Sequence, residues 1–191
     1  MGVAGVAEAT VHAIRRLTDD HSDDNVLVKL DFVNAFNMVR RDTILNAVAD
    51  KAPEIYKCVL ASHSCESKLT FGPYTILSRE GSQQEDPLSA VEYCDTAQPT
   101  LLKSKYETKL DYVNDLKLKG NISVVASDID KIVADAARTV LQLNPAKCEI
   151  VAANFNEVEK YPIFKEFKRI RKEDLTILVS PVLKARLLTR R

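Results

Sequence analysis

Seven residues near the start of the chain, Val26-Leu27-Val28-Lys29-Leu30-Asp31-Phe32, constrain its fold more than any other stretch. The run is short, apolar and β-branched, so it suits a buried strand better than a helix. It ends in a carboxylate, Asp31, which is costly to bury unless positive charge sits beside it. A second oxygen-bearing pair, Asn114-Asp115, falls between the apolar runs Leu110–Val113 and Leu116–Leu118, where it suits a tight hairpin turn. Two strand ends of this kind on neighbouring strands could hold divalent cations; the plainer reading of either is a solvated or turn-capping side chain.

The remaining elements read as a mixed fold. Ala7, Val11, Ile14 and Leu17 predict a helix from about Ala4 to Thr18, with a polar turn from Asp19 to Asn25. Arg41 to Asp50 carries Ile44, Leu45 and Val48 on one helical face, and Pro53 suits the first turn of a second helix bearing Ile55, Tyr56 and Val59. Lys68–Phe71 and Tyr74–Leu77 around Gly72-Pro73 predict a hairpin, followed by a polar loop from Ser78 to Asp86. Asp86 is placed to cap a helix that starts at Pro87, runs through Leu88, Val91 and Cys94, and is kinked or ended by Pro99. Asn121 is placed to cap a long helix carrying Ile122, Val125, Ile129, Ile132, Ala136 and Val140. Lys147–Val151 and Leu175–Leu178 predict further strands. This order fits one α+β domain over residues 1–191, with helices packed on one face of a largely antiparallel sheet.

Composition narrows the function classes. The 191 residues are 46% hydrophobic, enough for a core. They contain neither an apolar run long enough to span a membrane nor a basic-then-apolar leader at Met1, so no membrane partner and an intracellular location, nucleus or cytoplasm, are expected. Cys58, Cys65, Cys94 and Cys148 form no Cys-x-x-Cys pair and are expected to be reduced thiols in the core. Cys58, His63 and Cys65 lie close in sequence but lack a fourth zinc ligand and the usual spacing. Formal net charge is zero, yet Lys160 to Arg191 holds ten basic residues against Glu166, Glu173 and Asp174. Such a stretch is a solvated face or a phosphate contact.

Five motifs in order connect these features. They are Val28-Lys29-Leu30-Asp31-Phe32-Val33-Asn34-Ala35-Phe36-Asn37, Glu80-Gly81-Ser82-Gln83-Gln84-Glu85-Asp86-Pro87-Leu88-Ser89, Tyr112-Val113-Asn114-Asp115, Leu143-Asn144-Pro145-Ala146-Lys147-Cys148-Glu149 and Leu178-Val179-Ser180-Pro181. Over nearly its whole length the chain resembles the palm region of non-LTR retrotransposon reverse transcriptases. The resemblance implies a polymerase palm performing magnesium-dependent (or manganese-dependent) addition of deoxynucleoside triphosphates to a DNA primer on an RNA template. It makes Asp31 a metal ligand and places Asn114 and Asp115 in the catalytic hairpin. Phe32 and Phe36 would lie at the nucleotide, Phe36 under the incoming sugar, Gln83 and Gln84 would lie near template and nucleotide, and Lys147 would approach the triphosphate. It also implies that most of the fingers, the thumb and any endonuclease lie outside this sequence.

Three positions depart from the family pattern. Asn114 stands where the hairpin has its first aspartate, Glu85 where the second motif has glycine, and Val179 where the last motif has glycine. A neutral amide binds a hard cation more weakly than a carboxylate, a Glu85 side chain crowds and repels phosphate, and a β-branched residue resists positive φ. The expected polymerase is therefore weak or inactive. The rivals are a non-catalytic nucleic-acid-binding module using the sheet and basic stretch, and a partly folded remnant whose exposed apolar surface meets other proteins.

Overall fold

The structure, a computed structural model, describes residues 12, 23–83, 86–102, 108–112, 115–137, 141–177 and 180–181. The expected first helix lies outside these apart from His12, which is helical, and so do Gln84, Glu85, Val113, Asn114, Val140, Leu178 and Val179. In chain order the elements are β1 (Asn25–Leu30), α1 (Ala35–Met38), α2 (Arg41–Lys51), α3 (Tyr56–His63), β2 (Ser67–Phe71), β3 (Tyr74–Ser78), α4 (Ser89–Leu102), β4 (Thr108–Tyr112), β5 (Asp115–Asn121), α5 (Ile122–Ala136), β6 (Glu149–Ala152), α6 (Phe155–Val158), β7 (Lys168–Arg169), β8 (Thr176–Ile177) and β9 (Ser180–Pro181). The fold is mixed α+β. Its described residues divide into two compact units, one drawn from 1–31, 105–130 and 144–191, the other from 32–104 and 131–143.

The first unit is built on a five-stranded sheet in the order β4-β5-β1-β6-β7. Its pairings are antiparallel except β6 with β7, so the expected largely antiparallel sheet is a mixed one. Four residues of β1, Val26, Leu27, Val28 and Leu30, are all buried although neighbours on a strand point to opposite faces. Both faces of β1 are therefore covered, which is why its sequence reads as a nearly continuous apolar run. Each such side chain contributes about 1.5–3 kcal/mol.

β5 leads directly into α5, and Asn121 supplies the junction. Its Oδ1 accepts from the Ser123 backbone N–H at 3.0 Å and from the Ser123 hydroxyl at 2.7 Å, satisfying one of the orphan donors of the helix start. Ile122, Val125, Ile129, Ile132 and Ala136 are buried as the helical spacing predicts, and the helix closes at Ala136.

In the second unit Ile44 and Val48 of α2 and Val59 of α3 are fully buried. Helix α4 runs to Leu102, so Pro99 does not end it. A proline has no N–H to offer the carbonyl four residues back, here that of Asp95, and the Lys51 ammonium at the end of α2 donates to that oxygen instead. Strands β2 and β3 form a separate antiparallel hairpin with Phe71 opposite Tyr74.

The cap gives a direct test of the junction. Asn121→Ala should cost about 1 kcal/mol, read as a lower urea midpoint with unchanged slope, whereas Asn121→Asp should hold the midpoint.

Candidate functional site

The sheet places the acidic candidates by register. The last rung between β1 and β5 pairs Leu30 with Leu116, after Lys29 with Lys117. Asp31 follows Leu30 and Asp115, the first residue of β5, precedes Leu116, so each stands one residue past that rung. β4 pairs with β5 up to Tyr112 opposite Asp115, and Asn114 lies outside the described residues. Asp115, expected as the second residue of the turn, is instead the first residue of β5.

Backbone bonds hold Asp31 in place. Its carbonyl accepts from the Asn144 N–H at 2.9 Å, and its own N–H points at the Cys148 sulfur, 3.4 Å away. Asn144 precedes the 3-10 turn Pro145–Lys147 and accepts from the Lys147 N–H at 3.0 Å. The structure therefore brings Asp31, Asp115 and Lys147 to one end of one sheet, with Asp31 half-buried and Lys147 exposed. Carboxylates at two neighbouring strand ends are the donor type that a hard cation such as magnesium takes. Among the described residues no cluster of three or more His, Cys, Asp or Glu side chains is close enough to hold a metal.

The remaining candidates belong to the second unit. Phe32 pairs with Leu143 in an isolated bridge, supported by a Val33 N–H donating to the Gln142 carbonyl at 2.8 Å. Phe36 is half-buried and packs its ring 5.0 Å from Tyr93, a core contact. Gln83 is exposed and follows Ser82, whose N–H donates to the Phe36 carbonyl at 2.9 Å. Gly81 explains how this segment comes so near: its φ is +71°, and a Cβ there would overlap the Asn37 backbone.

A cleft of about 590 Å³ opens beside this segment, lined by Asn37, Arg41, His63, Gln83, Asp86 and Glu92 among others. Arg41 donates from Nε to the Gly81 carbonyl at 3.2 Å, from Nη1 to the Cys65 carbonyl at 3.2 Å and from Nη2 to the Ser78 hydroxyl at 3.1 Å. His63 Nε2 lies 3.1 Å from both oxygens of Glu92, and both side chains are almost wholly buried. Sequence reasoning singled out His63 only as a neighbour of two cysteines and passed over Arg41 and Glu92. No local pattern marks them, since their roles come from contacts across the unit.

The expectation of four core cysteines is not met. Cys58, Cys65 and Cys94 are exposed, and only Cys148 is buried; Val59 takes the inward position of α3, which turns its neighbour Cys58 outward. In the basic stretch, Lys160 faces Glu157 at 2.7 Å, Arg169 faces Glu159 at 3.0 Å, Arg171 faces Asp174 at 2.9 Å and Lys168 faces Glu149 at 4.0 Å. These exposed pairs stabilise little, but they cancel charge that a phosphate would otherwise meet.

No protein-family model matches the chain, and no curated protein matches it.

Gly81→Ala should destabilise the second unit by on the order of 1–3 kcal/mol from the positive φ alone, with more from the overlap, read as a lower urea midpoint. Burial pushes the Cys148 thiol up to about 11, and the Asp31 and Glu149 charges push it the same way. The unfolded thiol ionises near pH 8.5, so it releases its proton first and stability falls as pH rises from there through about 11. At pH 8 a thiol reagent should therefore modify exposed Cys58 and Cys65 in the folded chain and reach Cys148 only in denaturant.

Proposed function

We propose that the chain is a reverse-transcriptase-like palm whose nucleotidyl transfer is impaired. The observation that carries this reading is the last rung of the β1–β5 ladder, Leu30 with Leu116, past which Asp31 and Asp115 each stand by one residue on neighbouring strands. A palm needs two carboxylate-bearing strand ends side by side, and these two positions also fall in the first and third of five ordered motifs. The tight passage of Gly81 past the Asn37 backbone accounts for a glycine at that place in the second motif.

In this reading Asp31 and Asp115 would hold magnesium, which supplies charge stabilisation for the attacking and leaving oxygens of an in-line displacement. Lys147, exposed on the turn after Asn144, would approach the triphosphate, and Gln83, with Gln84, would lie along the template. Phe36 keeps a packing role against Tyr93 whether or not it also meets a sugar. Asn114 contributes a neutral oxygen where the family has an anion. A loss of transition-state stabilisation on the order of 3–5 kcal/mol slows the reaction by roughly two to four orders of magnitude.

Primer extension on an RNA template with Mg²⁺ or Mn²⁺ tests this, comparing the chain with Asn114→Asp and with Asn114→Asp plus Glu85→Gly. The repaired chains should extend primer at least about a hundredfold faster. Equal rates would remove the claim of impairment. Absence of extension in every form, together with RNA binding that weakens steeply with salt, would replace the polymerase reading with a non-catalytic binding module.

A further inference from the structure

The β2–β3 hairpin is the most exposed apolar feature of the described residues. Register places Leu69 opposite Ile76 and Phe71 opposite Tyr74, so these four side chains share one face. They are 48%, 62%, 81% and 69% exposed respectively. Aromatic side chains offer about 150–250 Å² each, so this face presents on the order of 500 Å² of apolar surface. Contiguous apolar patches of that size on a folded protein mark contact sites. The hairpin stands as its own two-stranded sheet, an arrangement that is marginal in water without a further partner.

The two outer edges differ. β2 carries Lys68 in its middle, the kind of charge that discourages pairing along an edge. β3, Tyr74-Thr75-Ile76-Leu77-Ser78, has no charge, no proline and no glycine, which is the composition of an edge that accepts another strand. We propose that β3 pairs antiparallel with β3 of a second copy of this chain, giving a symmetric dimer with a four-stranded sheet and a fused apolar face.

A two-fold axis at Ile76 sets Tyr74 opposite the second copy's Ser78 and Thr75 opposite its Leu77. Tyr74 and Ile76 lie on the same face as Leu69 and Phe71, so the two patches join on one side of the sheet. Arg79 and Glu80, which follow β3, then face Pro73 and Gly72 rather than a like charge. The zero net charge of the chain leaves no long-range repulsion between copies. Edge pairing bonds the backbones of Thr75 and the second copy's Leu77 and sets Tyr74 and Ile76 of one copy beside those of the other, so the contact lies along the edge and the joined face stays open. The polar content of the hairpin argues against nucleic acid as the occupant, because Lys68 is its only cation and phosphate affinity needs several.

Sedimentation velocity over a concentration series tests the proposal. The chain should sediment as a dimer of twice its 21.3 kDa mass, and Ile76→Lys, which sets two ammonium groups across the axis, should weaken the dimer at least about tenfold with unchanged circular dichroism. A second test does not depend on that variant. With exposed Cys58, Cys65 and Cys94 replaced by serine, Ile76→Cys should form an intermolecular disulfide under mild oxidation and Leu69→Cys, on the far strand, should not. A monomer at every concentration, or crosslinking through Leu69→Cys in place of Ile76→Cys, overturns the proposal. So does a monomer that binds single-stranded RNA or lipid vesicles through Phe71 and Tyr74.

Discussion

Everything in the first unit depends on a strand covered on both faces and paired on both edges. β1 lies between β5 and β6, and its residues at both parities are buried. Such a strand cannot carry an uncompensated charge in its middle, so its one aspartate stands just past the last rung, where the ladder no longer claims it. There the backbone is still tied by the Asn144 N–H, while the half-buried side chain keeps access to solvent. A reactive carboxylate gains fixed position and hydration from the same placement, which is the reason strand ends recur as sites.

The second unit solves a different problem, that of bringing an irregular segment close to helix ends. Gly81 reaches a position that no other residue could share with the Asn37 backbone. Arg41 then ties its carbonyl to those of Cys65 and the Ser78 hydroxyl with one planar group, a geometry that a lysine could not reproduce. The buried His63–Glu92 pair joins the end of α3 to α4 behind the same cleft. Pairs of this kind do more to select one arrangement than to add stability.

What the sequence disclosed follows from locality. β1, both hairpins, the Asn121 cap and the buried stripe of α5 were legible because each depends on residues within a few positions of one another. Pro99 does not end α4, and the Asp95 carbonyl it deprives is met by Lys51, forty-four positions away from Asp95. Asp115 entered β5 because pairing with Tyr112 outweighed its turn preference. Cysteine burial failed as a general rule for the same reason that Arg41 was missed: facing direction and long-range partners are set by packing, which no short window records.

Charge along the sheet end bears on what the site can hold. On the shared face, the acidic positions Asp31 and Asp115 are followed two residues along each strand by Lys29 and Lys117, which are directly opposite one another. Like charges opposed across a ladder repel, and alternation of acidic and basic rows relieves both. The four positions Lys29, Asp31, Asp115 and Lys117 sum to zero formal charge.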